Sequence, residues 1–319
     1  MVKIYLKENS QIVEVDKPVK DCWVNITPPF NMDNLESLSR ELEIPFSFIV
    51  DSIDIYERSR YEREDEISLI VINTPIINEK HSVEVDDQST YVTIPVGIIL
   101  TPDKLVTISS YNNPMIEWFE KNTIKNLRLD DRSMFVLRIF ERNVTYYLHY
   151  LREINRRIGQ IEKELYSSGR NEEVKKLLNL QKSLVYFVND LRANELVMMK
   201  IQRTNFLNLL DNENAEDFLQ DIMIDNSQAI EMANVYTTIL NSTMDALSSM
   251  ISNNLNSVMS RLTSITLALM VPTLIASFYG MNVDSLPLRH LTSSFWLIVI
   301  ISVMLSASLM FFFSRKKWL

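Results

Sequence analysis

Residues 245–282 read DALSSMISNNLNSVMSRLTSITLALMVPTLIASFYGMN, and their spacing decides the architecture. Asp245, Ser249, Ser252, Asn256, Met259, Thr263, Thr266, Met270, Thr273 and Ser277 follow one another in alternating steps of four and three. On a helix such steps form one continuous stripe. Apart from the two methionines every member is polar. The second half of the stripe lies inside an apolar run, Leu262 to Met281. Twenty helical residues rise about 30 Å, the thickness of a bilayer's hydrocarbon core. Polar groups there must face protein or water, because lipid cannot satisfy them. Two roles fit the stripe: Ser and Thr contacts between packed helices, or the wall of a water-filled path. The run ends at Phe278-Tyr279-Gly280-Met281-Asn282, and Gly280 is one of four glycines in the chain. It stands where a stopping helix can require a left-handed residue.

Working outward, a second apolar run spans Phe295 to Phe313, with Trp296 near one boundary and Arg315, Lys316 and Lys317 immediately after. Positive charge marks the cytoplasmic side. The C-terminus is therefore expected in the cytoplasm, and two spans return the N-terminal part there too. The segment between them, Val283 to Ser294, is a short outer loop. The opening Met1-Val2-Lys3-Ile4 alternates like a strand and does not read as a secretory signal.

The 319 residues carry a formal net charge of −9, which argues against a nucleic-acid partner. The single cysteine, Cys22, rules out an intrachain disulfide and a thiolate zinc cluster. Eight of the ten prolines fall in residues 1–115, where they punctuate a mixed α/β pattern. Strand-like runs are Lys3–Leu6, Ile12–Val15, Cys22–Ile26, Ile67–Ile72, Tyr91–Ile94, Gly97–Leu100 and Leu105–Ile108; Asn34–Leu42 and Pro45–Ile55 read as helices. There is no glycine-rich phosphate loop, nucleophile elbow or His-x-x-x-His spacing, and His81, His149 and His290 are scattered. An enzyme is not indicated.

Residues 116–210 are helical. Met134–Tyr166 and Asn171–Leu210 form an antiparallel hairpin with mixed surface charge, turned at Ser167-Ser168-Gly169-Arg170. From Ala215 to Val271 there is neither glycine nor proline. One helix through Met281 would span about 100 Å, a stalk (211–261) that enters the membrane as a first span (262–282). Beside the polar stripe runs an apolar seam, Leu240, Met244, Leu247, Ile251, Leu255, Val258 and Leu262, suited to packing against copies of itself. Between Asp211 and Ser260 stand Asp211, Glu213, Glu216, Asp217, Asp221, Asp225, Glu231 and Asp245, with no Lys or Arg. Packed side by side such helices repel, and cations between them would offset the repulsion.

Tyr279-Gly280-Met281-Asn282 at the end of the first of two C-terminal spans, with the closing Lys316-Lys317-Trp318-Leu319, resembles the CorA family of divalent-cation channels. The resemblance is strongest over the last 105 residues or so and traceable before them. It implies a funnel-shaped homopentamer in the cell (inner) membrane, built from an α/β cytoplasmic domain (1–115), a helical hairpin (116–210), long helices and two transmembrane helices, the second at 295–314 before a basic tail (315–319). It implies transport of Mg²⁺, with Co²⁺ and Ni²⁺ as further candidates. Tyr279, Gly280, Met281 and Asn282 would form the selectivity filter, with repeated Asn282 amides reading a hydrated ion. Counting back from the motif puts Asp245, Asn256 and Thr273 at polar pore positions and Met259, Leu262 and Met270 at narrow apolar ones. Asp51-Ser52-Ile53-Asp54-Ile55-Tyr56-Glu57-Arg58-Ser59-Arg60-Tyr61-Glu62 looks like a family element whose leading aspartate sits at a subunit interface. By that match Asp51 of one subunit, and by the count from the Tyr-Gly-Met-Asn motif Asp221 of the next, would hold a regulatory Mg²⁺. Two departures stand out: Ser59 where the family often has proline, and Leu288, Arg289 and His290 after Asp284, where some relatives carry an acidic pair. The alternatives are a proton-coupled zinc transporter of the same superfamily, disfavoured by the absence of clustered His and Cys, and a membrane-anchored scaffold, which leaves the stripe unexplained.

Overall fold

The structure is a computed structural model that describes residues 1–8, 11–78, 89–121, 129–168, 171–209, 212–281, 287 and 294–315. It divides into two compact units, Met1–Ser242 and Thr243–Leu319.

The first unit is built on a seven-stranded sheet. Its strands are β1 (Val2–Glu8), β2 (Gln11–Val15), β3 (Cys22–Ile26), β4 (Arg60–Glu64), β5 (Ile67–Ile77), β6 (Tyr91–Leu100) and β7 (Lys104–Ser109), in the order β2-β1-β3-β7-β6-β5-β4. All neighbours are antiparallel except β3 and β7, where Val24 lies opposite Val106. The central strands bury both faces, which is why they read as unbroken apolar runs. Cys22, Val24, Leu69, Val71, Ile99 and Val106 point to one side and pack on α1 (Met32–Leu42) and α2 (Phe46–Ile53) through Leu35, Leu42, Phe48 and Ile49. Trp23, Ile70, Ile72, Val96 and Ile98 point to the other side. They meet α3 (Pro114–Lys121), α4 (Arg132–Ser168), α5 (Asn171–Thr204) and the start of α6 (Glu213–Tyr279) through Phe119, Phe135, Val197, Met198, Leu219 and Ile222. Trp23 is fully buried, edge-on to Phe135 at 5.3 Å, and donates from Nε1 to Thr107 Oγ1 at 2.8 Å.

Three features of the sheet differ from the sequence expectation. The runs Tyr91–Ile94 and Gly97–Leu100 are one strand, β6, despite Pro95. Pairing of β6 with β7 reaches only to Val96, so Pro95 lies where that side of the ladder has ended. Pro75 likewise lies beyond the end of β4, so β5 continues through it to Ile77. Arg60–Glu64, expected as part of a charged element after α2, is an edge strand. Its sequence RYERE supplies the charge that discourages edge-to-edge association.

Gly97 fixes the seat of α2. A Cβ added there would fall 1.9 Å from Ser52 Oγ and 2.4 Å from Ser52 Cβ. The absent side chain lets α2, and with it Asp51, lie directly on β6.

A polar network joins β5, β6, α4 and α5. The Asn73 carbonyl accepts from Asn143 Nδ2 at 3.0 Å, Tyr147 Oη at 3.1 Å and Asn194 Nδ2 at 2.8 Å. Asn73 Nδ2 donates to Asp190 Oδ1 at 3.2 Å, and Thr93 Oγ1 donates to Asp190 Oδ2. Burial pushes the Asp190 carboxyl up to about 6, the Thr93 hydrogen bond only partly opposing it.

The second unit holds the remainder of α6 and α7 (Ser294–Arg315). Pro272 lies inside α6, so Ala268 loses the backbone donor that normally meets its carbonyl. Ser306 of α7 supplies the replacement, its hydroxyl donating to Ala268 O at 2.8 Å. Ala268 and Ser264 are buried on this side. Here α6 ends at Tyr279 and α7 occupies Ser294–Arg315, while in the first unit α5 stops at Thr204, short of the expected Leu210, where Asn205 turns to a positive φ.

Two outcomes follow for the first unit. Gly97→Ala should cost on the order of 1–3 kcal/mol, as overpacking does, and Ser52→Gly in the same chain should recover part of it in thermal unfolding. For Asp190 the folded carboxyl holds its proton to higher pH than the unfolded one, so the folded state binds more protons between pH 3.8 and about 6. Stability from this group therefore falls as pH rises through that window, by roughly 3 kcal/mol. Asp190→Asn should flatten the dependence when Tm is followed from pH 4 to pH 7. Glu153, whose Arg156 and Arg157 hydrogen bonds hold its carboxyl near 2, acts in the opposite sense and at lower pH.

Candidate ion path and regulatory metal site

The path residues are set by one helix and by what its partner leaves uncovered. All ten members of the stripe from Asp245 to Ser277 are exposed, while Ser264 and Ala268 are buried. Thus α7 covers a different face of α6. Among the expected pore positions, Met259, Leu262 and Met270 are 58%, 57% and 60% exposed. Asp245, Asn256 and Thr273 are exposed as well. The apolar seam is partly covered: Leu240 and Leu247 are buried, whereas Ile251, Leu255, Val258 and Leu262 stand exposed.

Two hydroxyls of the stripe are oriented by the helix backbone. Thr266 Oγ1 donates to Leu262 O at 2.8 Å and Thr273 Oγ1 to Leu269 O at 2.9 Å. Each proton is spent on the helix's own backbone, so the oxygen lone pairs point outward. That leaves an acceptor surface, suited to water or a cation.

At the end of α6, Gly280 N donates to Ala276 O at 2.9 Å and Met281 N to Phe278 O at 3.2 Å. Contrary to the expectation of a left-handed residue, Gly280 leaves the helix without a positive φ. Its use is local room: a Cβ would come within 3.3 Å of Ala276 O and 3.5 Å of Ser277 O. Tyr279 Oη donates to Pro287 O at 2.9 Å, tying the helix end to the outer loop. Met281 is exposed. Asn282 lies outside the described residues, as do Asp284, Leu288, Arg289, His290 and the closing Lys316–Leu319.

The two expected metal ligands sit in different settings. Asp51, near the end of α2, is ion-paired with Arg60 Nη2 at 2.5 Å. The same guanidinium is within 3.1 Å of Glu57 and bonds Glu62. Three carboxylates thus share one guanidinium, an arrangement the sequence concealed because Arg60 reaches Asp51 only by folding back as β4. Asp221 is exposed on α6 and has no ion pair among the described residues. Glu213, Asp217, Asp225, Glu231 and Asp245 are likewise exposed and Glu216 is half-buried, none with an ion pair among the described residues; Asp211 lies outside the described residues. Within one chain no hydrogen bond or ion pair joins Asp51 to Asp221. Among the described residues no three His, Cys, Asp or Glu side chains gather closely enough to hold a metal ion.

Among the described residues two helices are long and apolar enough to cross a membrane, α6 with a window of mean hydropathy 1.7 and α7 with 2.5. Comparison with known proteins agrees with this plan. A cobalt/magnesium transport protein CorA of Methanocaldococcus jannaschii is 28% identical over 310 residues, covering 93% of this chain and 91% of that protein. A second from Thermotoga maritima is 22% identical over 298 residues, covering 93% and 83%. Among solved structures, the complete CorA magnesium transporter from M. jannaschii superposes with a TM-score of 0.81 at 23% identity, covering 100% of this chain and 99% of that one. The cytoplasmic domain of ZntB from Vibrio parahaemolyticus shares the fold at a TM-score of 0.60 and 8% identity, over 79% and 98% of the two chains. The family model of the CorA-like Mg2+ transporter protein matches residues 20–316, and the chain belongs to that family.

Proposed function

We propose that this chain is one subunit of a homopentameric membrane channel, not an enzyme, that passes Mg²⁺ and, as further candidates, Co²⁺ and Ni²⁺. One observation carries the reading: the stripe from Asp245 to Ser277 is uncovered along its whole length, though α7 packs against the same helix. In a bilayer such a face must meet water or other copies of itself. Copies of α6 around an axis provide both: the exposed Ile251, Leu255, Val258 and Leu262 pack laterally, and the stripe lines the path. Thr273 and Asn256 present oxygen to a hydrated ion, while Met259, Met270 and Leu262 form apolar constrictions that close by excluding water. Magnesium sheds its water reluctantly, so an Asn282 ring at the mouth reads the hydrated ion by hydrogen bonds, with Tyr279 bracing the loop, Gly280 giving room for the chain to leave the helix and Met281 completing the filter.

The large N-terminal part and the C-terminal tail lie in the cytoplasm under this reading. Magnesium bound between Asp51 of one subunit and Asp221 of the next holds the ring closed, a ligand favouring one of two states. The donor set fits a hard, partly hydrated cation: two carboxylates, one of them without an ion pair. Arg60 competes for Asp51 and so lowers the affinity of the site, placing release within reach of a falling internal Mg²⁺ concentration. The carboxylates of α6 then repel one another and the ring loosens.

The test of the path is Mg²⁺ entry into proteoliposomes containing a magnesium-sensitive dye. Asn282→Ala should reduce or deselect entry at least about tenfold. Zinc entry driven by a proton gradient, with none of Mg²⁺, would support the zinc transporter instead, and no divalent flux from an intact oligomer would support a scaffold. For closure, flux is followed against Mg²⁺ on the cytoplasmic side. Asp51→Asn with Asp221→Asn should stay open at concentrations that shut the parent protein, whereas Asp221→Lys should close it partly without metal. Unchanged closure in the double variant would remove the regulatory pair.

A further inference from the structure

Among the described residues, Glu120 and Glu173, two carboxylates with little side-chain exposure, each have a cation beside them. Glu120 takes Lys3 at 3.2 Å and Asn25 Nδ2 at 2.9 Å, and Glu173 takes Lys176 at 2.8 Å. Asp190 differs from both. Its partners are neutral, Asn73 Nδ2 and the Thr93 hydroxyl, and it forms no ion pair among the described residues. A carboxylate has about four acceptor positions, and these two donors fill only half of them. An ionised acid left so is costly unless a cation completes it.

The space for that cation is present. Asp190 lines a cavity of about 600 Å³ between α5 and the segment that follows α2. Its walls are of three kinds. Asp190, Asn73 and Thr93 give a polar floor. Ile55, Val92 and Ala193 give apolar sides, and Tyr56 and Tyr186 give aromatic ones. Asn189 adds an amide, and Glu57 and Arg58 complete the lining, Glu57 being already ion-paired with Arg60. A divalent metal ion would find a single available carboxylate, fewer charged ligands than a hard cation ordinarily takes, and the Arg58 guanidinium in the same lining opposes a double charge more than a single one. An alkylammonium finds a single matching anion, methyl groups for its stem and ring faces that attract its charge.

We propose that this cavity binds a small organic amine, its ammonium hydrogen-bonded to Asp190 and its alkyl stem lying along Ile55, Val92 and Ala193 between the two tyrosines. An occupant would bridge α5 to the segment Ile55–Arg58, directly beyond the helix that carries Asp51. The proposal is independent of which ion the chain transports.

The test uses the full-length protein in detergent, with Mg²⁺ present at constant concentration, and isothermal titration calorimetry with butane-1,4-diamine. Saturable binding of one diamine per chain is expected, with no heat from butane-1,4-diol, which has the same length and no charge. Asp190→Asn should weaken binding more than tenfold. Ala193→Phe, which fills the cavity and leaves the polar network untouched, should abolish it and serves if Asp190→Asn does not fold. Absence of diamine binding, or binding that both variants retain, overturns the proposal. Displacement of the diamine by Mg²⁺ in a manner that depends on Asp190 would make the cavity a metal site and overturn the amine assignment.

Discussion

A helix inside hydrocarbon has no water with which to repair a broken hydrogen bond, and the second unit is arranged around that constraint. Pro272 removes the donor for the Ala268 carbonyl in the middle of the apolar run. In water the loss would be met by solvent; here the Ser306 hydroxyl of α7 meets it. Thr266 and Thr273 of the stripe obey the same rule, bonding to carbonyls one turn back. What these contacts leave over is a column of outward oxygen lone pairs on one face and exposed Ile251, Leu255 and Val258 alongside. Neither surface is at home in lipid headgroups or in solvent alone. Arranging copies of α6 about an axis resolves both at once, which is why oligomerisation and the ion path are a single proposal and not two.

Charge imposes the complementary constraint on the stalk. The described carboxylates of α6 have no ion pairs in one chain, and the only basic residue beyond them on the helix is Arg261. Glu213 and Glu216 sit in the first turn, where the helix's own dipole welcomes them. The others have no such relief. Asp51 is treated oppositely: it shares Arg60 with Glu57 and Glu62, so three negative charges meet one positive. Such a group is neither neutral nor strongly repulsive, and a further cation can bind it without first breaking a saturated ion pair. The regulatory role proposed for Asp51 requires this intermediate condition, because a site already neutralised would not sense metal and a bare carboxylate cluster would seldom release it.

The parts of the fold written in periodicity were legible. The helices and both apolar spans follow from local spacing, and the stripe's exposure follows from steps of four and three. What was not legible depended on neighbours distant in sequence. Pro95 seemed to divide a strand because nothing local shows that β7 stops at Val96. Most of RYERE read as part of a charged element after α2, though it pairs with β5 as an edge strand. Gly280 invited a left-handed reading that its backbone does not adopt; its room is needed beside Ala276 O instead. The same limit applied to the candidate sites. Residue types and positions along α6 could be counted from a motif, but Arg60 closing on Asp51 required the turn from α2 into β4.

Asp190 shows how the two kinds of information combine. In sequence it is one charge among many in a mixed-sign helix, indistinguishable from a solvated residue. In the fold it faces inward, beside neutral donors from β5 and β6. Contrast with Glu120 sets its meaning. Burial would raise the Glu120 carboxyl too, but hydrogen bonds from Asn25, Tyr5 and Lys3 outweigh it and hold the group below the ordinary range. The protein therefore has the means to compensate a buried acid with its own side chains, and at Glu120 it does so. At Asp190 it provides a cavity in place of a lysine. A carboxylate compensated from within stabilises one fold unconditionally. One whose cation must come from outside makes the surrounding contacts, here those between α5 and the segment after α2, depend on what the solution contains.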